Sequence, residues 1–265
     1  MSLQVNIAEK MYPGARHAAL RRLEFSARDG EFIVIVGPSG AGKSTLLNIV
    51  SGLDQDLEGN SLLDGEPLHL NGKCRAGIGF IFQDPRLLPW LSVLDNLRLV
   101  LGDDPQGEHK CRELLREVEL GNETTAFPGQ LSGGMQRRVA MARAFVTRPS
   151  LLLMDEPFVS LDVPTAGRLR QLLLRLWSEF RPTVLMVTHN LREALALADR
   201  VLFLSGSPGQ VVLEVPIDLA RPRGPDDSVV NDLHDRLLRA HPGLLSGLTG
   251  NGETGAEESK NEAKA

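Results

Sequence analysis

The sequence predicts an α/β fold: a mostly parallel sheet wrapped by helices, with a helical block inserted between two of its strands. Three observations carry this. Apolar runs of strand length alternate with helical patterns from Phe32 to about Val215. A glycine-rich segment, Gly37–Gly42, joins the first of those runs to a helical pattern. Residues 84–147 then change character and read as mostly helical. The bulk numbers agree, since 265 residues suffice for a sizeable domain with extensions and 42% hydrophobic residues suit a packed core.

Taken in order, Phe32–Val36 is an unbroken apolar run, and Lys43–Val50 reads as a helix stopped by Gly52. Ile78–Phe82 is a further short strand. Ser92 is placed to cap a helix, with Asp95 at capping-box spacing. Polar turn residues in Gly102–Gly107 interrupt the helical block. Met135, Val139, Ala142 and Val146 recur at helical spacing until Pro149 stops the run. Leu151–Met154 is a buried strand. Pro164 opens a helix whose Leu169, Leu172, Leu173, Leu176 and Phe180 share one inward face. Thr183–Val187 is a strand ending at Thr188-His189. Val201–Leu204, Ser207-Pro208-Gly209 and Val211–Val215 read as strand, turn and strand. Val229–Arg239 is amphipathic, and the Gly, Glu, Asn and Lys of residues 247–265 predict a disordered tail.

Several classes are disfavoured. A net charge of −5 implies no overall basic face for nucleic acid. Cys74 and Cys111 stand in no metal-ligand or redox spacing and read as free thiols. Glu9, Lys10 and Arg16 break up the N-terminal stretch, so no secretory leader is expected. No apolar run approaches the ~18 residues of a bilayer span, so any membrane role would come through a partner.

Gly37-Pro38-Ser39-Gly40-Ala41-Gly42-Lys43-Ser44 matches G-x-x-x-x-G-K-[ST] between a strand and a helix. Glycines let backbone N–H groups point at phosphate oxygens, and the following helix adds its positive end. Lys43 is suited to the β- and γ-phosphates and Ser44 to Mg²⁺, with Thr45 next in the helix completing the nucleotide-binding set. Leu151–Met154 ends in Asp155-Glu156, which puts two carboxylates at the tip of a buried strand. Asp155 is suited to hold Mg²⁺, and Glu156 to polarise the water that attacks the γ-phosphate.

Six motifs now stand in a fixed order: the glycine loop, Phe82-Gln83-Asp84, Leu131-Ser132-Gly133-Gly134, Asp155-Glu156, Ser160-Leu161-Asp162 and Thr188-His189. In this the chain resembles the ATP-binding-cassette ATPases over roughly Leu3 to Arg223. The resemblance implies a phosphate-loop, RecA-like core with an N-terminal antiparallel β subdomain and an inserted α-helical subdomain. It implies an ATPase domain over residues 1–225 with its helical subdomain at about 84–147; the amphipathic Val229–Arg239 run marks a helical extension over 226–246. Two copies would pack head to tail around ATP and Mg²⁺. Ser132, Gly133, Gly134, Gln136 and Asp162 would then reach the nucleotide held by the other copy. Gln83 would reach the metal and the attacking water and link the site to integral-membrane permease subunits; His189 would contact the γ-phosphate. Taken singly, Gln83 reads as a strand-end glutamine and His189 as a structural histidine; their place in the series assigns them. Relatives stack adenine on an N-terminal aromatic, for which Tyr12 is the candidate and a surface tyrosine before Pro13 the alternative. Asn190, Val159 and Gly129 depart from commoner family residues, but none removes a catalytic charge.

Arg86-Leu87-Leu88-Pro89-Trp90 and Asp218–Arg223 resemble the nitrate, sulfonate and taurine importer branch. That branch implies a peripheral protein on the cytoplasmic face of the bacterial inner membrane, served indirectly by a periplasmic or lipid-anchored solute-binding protein. Two readings of Leu88 and Trp90 stay open: an apolar socket for a partner helix, or packing within the helical block. A cassette ATPase not linked to transport is the alternative function. The chain lacks the long heptads of DNA-repair cassettes and the second cassette of ribosomal ones. A phosphate-loop kinase would have no use for Leu131–Gly134.

Overall fold

A computed structural model describes residues 2–70, 73–74 and 77–247. The expected disordered tail over 247–265 lies, apart from Gly247, outside the described residues.

The chain opens with β1 (Leu3–Lys10) and β2 (Leu20–Ala27), which pair antiparallel. In β1, Leu3, Val5 and Ile7 point into the core while Gln4 and Asn6 face out, the period-two signature of a half-buried strand. β3 (Phe32–Val36) is buried throughout and leads into α1 (Lys43–Ser51), which ends on the left-handed Gly52. β4 (Glu58–Leu63) adds to β1, β5 (Glu66–Pro67) adds to β4, and β6 (His69–Leu70) pairs with β7 (Lys73–Cys74). The first sheet therefore runs β2-β1-β4-β5, antiparallel at every pairing, which is the N-terminal β subdomain the resemblance implies.

β8 (Ile78–Ile81) enters the main sheet. Three helices follow: α2 (Val93–Arg98), α3 (Gly107–Glu117) and α4 (Gly133–Phe145). Ser92 caps α2 by accepting from the Asp95 N–H at 3.1 Å. The Asp95 carboxylate accepts from the Ser92 hydroxyl at 2.6 Å, so the two capping-box residues also bond side chain to side chain. β9 (Leu151–Asp155), α5 (Val163–Phe180), β10 (Thr183–Thr188), α6 (Leu191–Leu197), β11 (Arg200–Leu204) and β12 (Val211–Pro216) complete the sheet and its covering helices, and α7 (Ser228–Ala240) packs on α6.

The main sheet runs β12-β11-β3-β10-β9-β8, parallel except at the β11–β12 edge. Alternate side chains of its central strands feed two cores. Phe32, Val34, Leu152, Met154, Val184 and Met186 pack towards the helices α2 to α7. Ile33, Ile35, Leu151, Leu153, Leu185 and Val187 pack against α1 and the antiparallel sheet. Burial on both faces is why these strands read as unbroken apolar runs. The strand order puts the C-terminal ends of β3, β10, β9 and β8 side by side, where open α/β sheets bind their ligands.

Candidate active site

The loop after β3 is shaped by its glycines. Gly40 and Gly42 hold φ of 80° and 81°, in the left-handed region, and Gly42 is the N-cap of α1. A Cβ on Gly42 would meet Leu20 Cδ2 at 2.5 Å and the Ala19 carbonyl oxygen at 2.8 Å. The loop is thus pressed onto β2 with no room for a side chain at that point. Lys43 is buried and folds back, its ammonium donating to the carbonyls of Gly37 at 2.8 Å and Pro38 at 2.9 Å. Two of its three protons are so used, leaving one for an anion. Burial lowers its pKa, and the nearby carboxylates of Glu156 and Asp155 work the other way.

Asp155 ends β9 beside this loop. Burial raises its pKa, partly offset by a hydrogen bond with the Ser44 hydroxyl. Among the described residues no cluster of three or more His, Cys, Asp or Glu could hold a metal alone. A cation at Ser44 and Asp155 would have to draw on phosphate oxygens as well. One carboxylate, one hydroxyl and substrate oxygens are the hard donor set that suits Mg²⁺, so the residues fit that ion.

Glu156 takes φ of 43°, an uncommon conformation for a residue with a side chain, and its N–H donates to the Val187 carbonyl of the neighbouring strand at 3.0 Å. This aims the Glu156 carboxylate at His189, whose Nδ1 lies 2.9 Å from Oε2. His189 remains 57% exposed while Glu156 is only 18% exposed, so the pair sits at the rim with the carboxylate inside. Gln83 is exposed just beyond β8. Strand order therefore brings the loop, Asp155, Glu156, His189 and Gln83 onto one edge.

The Leu131–Gly134 turn lies elsewhere. Ser132 is exposed and caps α4, accepting from the Met135 N–H at 3.3 Å. Gly133 has open space where a Cβ would stand, and Gly134 lies so near α5 that a Cβ would meet Thr165 at 3.0 Å. Asp162 caps α5 by accepting from the Thr165 N–H at 3.0 Å, and this bond lowers its pKa. A groove of about 840 Å³ is lined by Ser132, Gly133, Gly134, Ser160 and Asp162 among others, and by no residue of 37–45. Gln136 donates to the carbonyls of Pro128 at 3.0 Å and Leu131 at 3.3 Å, so its side chain braces the turn.

Tyr12 lies against α1, its hydroxyl donating to the Thr45 hydroxyl at 3.2 Å. The buried Lys10 ammonium sits 4.6 Å from the ring centroid and bonds Asp54 at 2.8 Å, which fixes the ring beside the loop. Trp90 is 70% exposed, so it does not pack the helical block, whereas Leu87 packs on the main core.

Five side chains with structural work to do are not evident from the sequence. Buried Asn96 accepts from the Leu88 N–H and donates to the carbonyls of Leu88, Leu91 and Ser92, shaping the turn that presents Trp90. Arg137 and Arg143 of α4 grip the segment around Gln83. Arg223 is buried and donates to the carbonyls of Leu195, Ala198 and Leu219, while Arg221 bonds Asp199 and Leu197. The Asp218–Arg223 segment thus closes the carbonyl end of α6. The partners of these groups are mostly backbone carbonyls, which leave no trace in sequence. Asn190 caps α6 by accepting from the Glu193 N–H at 3.3 Å.

A phosphate-binding loop at the head of a parallel sheet, with paired carboxylates two strands away, defines a nucleoside triphosphatase of the phosphate-loop class. The chain belongs to the ABC transporter family: the match to that family covers residues 20–159. It is 44% identical over 238 residues to "Aliphatic sulfonates import ATP-binding protein SsuB 2" of Burkholderia cenocepacia (strain HI2424), covering 90% of this chain and 86% of that protein. It is 38% identical over 241 residues to "Aliphatic sulfonates import ATP-binding protein SsuB" of Bacillus subtilis (strain 168), covering 90% and 93%. Among solved structures it is similar to the dimeric post-hydrolysis state of the ATP-binding cassette MJ0796 bound to ADP and Pi. That match has a TM-score of 0.70 and 32% identity, covering 82% of this chain and 100% of that one. It is also similar to cbiO1 of Clostridium perfringens, part of the ABC transporter complex cbiONQ, with a TM-score of 0.73 and 25% identity over 89% and 94% of the chains. The chain is accordingly an ATP-binding and ATP-hydrolysing subunit whose turnover drives transport.

Proposed function

We propose that this chain powers a bacterial importer of aliphatic sulfonates or chemically similar small anions. It would work as a head-to-tail homodimer beneath integral-membrane permease subunits, on the cytoplasmic face of the inner membrane. A periplasmic or lipid-anchored binding protein would deliver the solute. The solute assignment is supported by the names of relatives at 37–44% identity. Among the described residues no helix is long and apolar enough to cross a membrane, so passage of the solute falls to the permease.

The observation that carries the catalytic reading is the 2.9 Å contact of Glu156 with His189, beside Asp155 and Lys43. The loop N–H groups and Lys43 bind the phosphates, and Tyr12 backs the adenine. Ser44, Asp155 and Gln83 would hold Mg²⁺, which when bound neutralises charge on the β- and γ-phosphate oxygens. Glu156 accepts the proton of the attacking water, and His189 orients Glu156 and reaches the γ-phosphate. Ser132, Gly133 and Gly134 complete the pocket of the other copy, and Asp162 lies across the seam. Gln136 acts there through the turn it braces.

The test is Glu156→Gln in the purified protein. Loss of a general base should slow hydrolysis by about 100-fold or more, while ATP binding persists and an ATP-bound dimer accumulates on size exclusion. A wild-type rate in this variant removes Glu156 from the role of base.

A further inference from the structure

We propose that Arg137 is a positioning residue for hydrolysis, pinning the Gln83 segment to the segment after Glu156 and so fixing the gap in which water meets the γ-phosphate. The inference rests on the roles given above to Gln83 and Glu156. β8 and β9 pair only as far as Ile81 and Met154. Beyond that pair no backbone ladder joins the two strands, although Gln83 and Glu156 both lie there. Arg137 takes over. One guanidinium nitrogen donates to the carbonyls of Gln83 at 2.9 Å and Pro157 at 3.0 Å, and the other donates to Val159 at 2.9 Å.

The chemistry suits arginine in particular. A planar fork holds its donors at fixed angles, so three carbonyls bound to it are held at fixed distances from one another. A lysine is a point charge and cannot impose that spacing. Burial lowers the Arg137 pKa, with Asp84 opposing, and its hydrogen-bond partners are backbone oxygens. Arg143 holds the same segment at the carbonyls of Pro85 and Arg86, both at 2.9 Å. Arg137 alone of the two also reaches Pro157 and Val159, on the Glu156 side. α4 carries both arginines and has Ser132 as its cap. A shift of the Ser132 turn or of Gln83 therefore passes through one side chain to the residues flanking Glu156.

The test compares wild type, Arg137→Gln and Arg137→Lys as full-length protein in steady-state hydrolysis of ATP with Mg²⁺, with Glu156→Gln alongside. Misplacing reacting groups by about 1 Å costs on the order of 100-fold, so a partial loosening should lower kcat about ten-fold in both Arg137 variants. KM for ATP should stay within about two-fold, because Lys43 and its loop are untouched. Arg137→Lys keeps the charge and most of the stem, so it carries the comparison if Arg137→Gln folds poorly, and its failure to restore kcat marks geometry as the cause. A kcat within about two-fold of wild type, or a loss of kcat matched by an equal loss of ATP affinity, overturns the proposal. Should Glu156→Gln keep its activity, the site reading itself falls; should it lose activity while Arg137→Gln does not, only the role of Arg137 falls.

Discussion

Replacing Gly42 and Gly40 separately by alanine isolates what the loop packing contributes. Both glycines have nearly the same backbone, φ of 81° and 80°, so both alanines bear the same left-handed cost of about 1–2 kcal/mol. They differ in surroundings. Around Gly40 no heavy atom lies within 4 Å of the new Cβ, whereas at Gly42 it would lie 2.5 Å from Leu20 Cδ2 and 2.8 Å from the Ala19 oxygen. Neither neighbour can yield cheaply: Leu20 is fully buried, and the Ala19 carbonyl accepts the Gly209 N–H at 3.0 Å. Overpacking of this kind adds about 1–3 kcal/mol. Gly40→Ala should therefore melt about 2–8 °C below wild type and Gly42→Ala about 4–20 °C below, at ~2–4 °C per kcal/mol for a domain of this size. Differential scanning calorimetry without nucleotide gives the shifts, and ATP titration shows whether Gly42→Ala relieves the clash by moving the loop, which would also weaken binding. Equal shifts for the two variants would refute the reasoning.

Arg223→Met keeps the apolar stem but strips three carbonyls of their donor, two of them buried, and should destabilise by about 3 kcal/mol in urea titration; an unchanged midpoint would show that these bonds contribute no net stability. Asp155→Asn tests the raised carboxyl. A folded-state pKa above the unfolded one gives stability that is full below the unfolded value and lost as pH rises through the folded value. At neutral pH the carboxylate is thus a net cost, so the asparagine variant should melt above wild type without nucleotide, with the gap closing in acid, yet hydrolyse no ATP; melting below wild type at neutral pH contradicts this. Tyr12→Ala should weaken ATP binding by about ten-fold or more, the value of one stacked base, with a smaller effect on kcat; unchanged affinity would leave Tyr12 as a surface residue.

Much of the fold was legible because the central strands are buried on both faces, so Phe32–Val36 and Leu151–Met154 could be little else. The loop at Gly37–Ser44 was legible because phosphate binding restricts both backbone and side chain there. β1 and β4 were expected only through the resemblance: β1 alternates Leu3, Val5 and Ile7 with polar residues, and the Glu58-Gly59-Asn60 opening of β4 is polar and exposed. α6 is short and has only its Asn190 cap to announce it. Arg137, Arg143 and Arg223 escaped for one reason. Each acts on backbone carbonyls brought near by tertiary folding, and an arginine bonded to carbonyls looks in sequence like any solvated arginine. The Asp218–Arg223 segment illustrates the limit: its pattern pointed to a branch of the family, and its arginines turn out to cap a helix.

The central claim is that one copy's Lys43 and another copy's Ser132 serve the same ATP. Mixing Lys43→Ala protein with Ser132→Arg protein tests it most directly. Each variant alone breaks both sites of its homodimer and should be inactive. A mixed dimer pairs the intact loop of one with the intact turn of the other, so one complete site forms. Random pairing of equal amounts should restore about a quarter of the wild-type hydrolysis rate. Mixtures that stay as inactive as either variant alone would contradict the shared site.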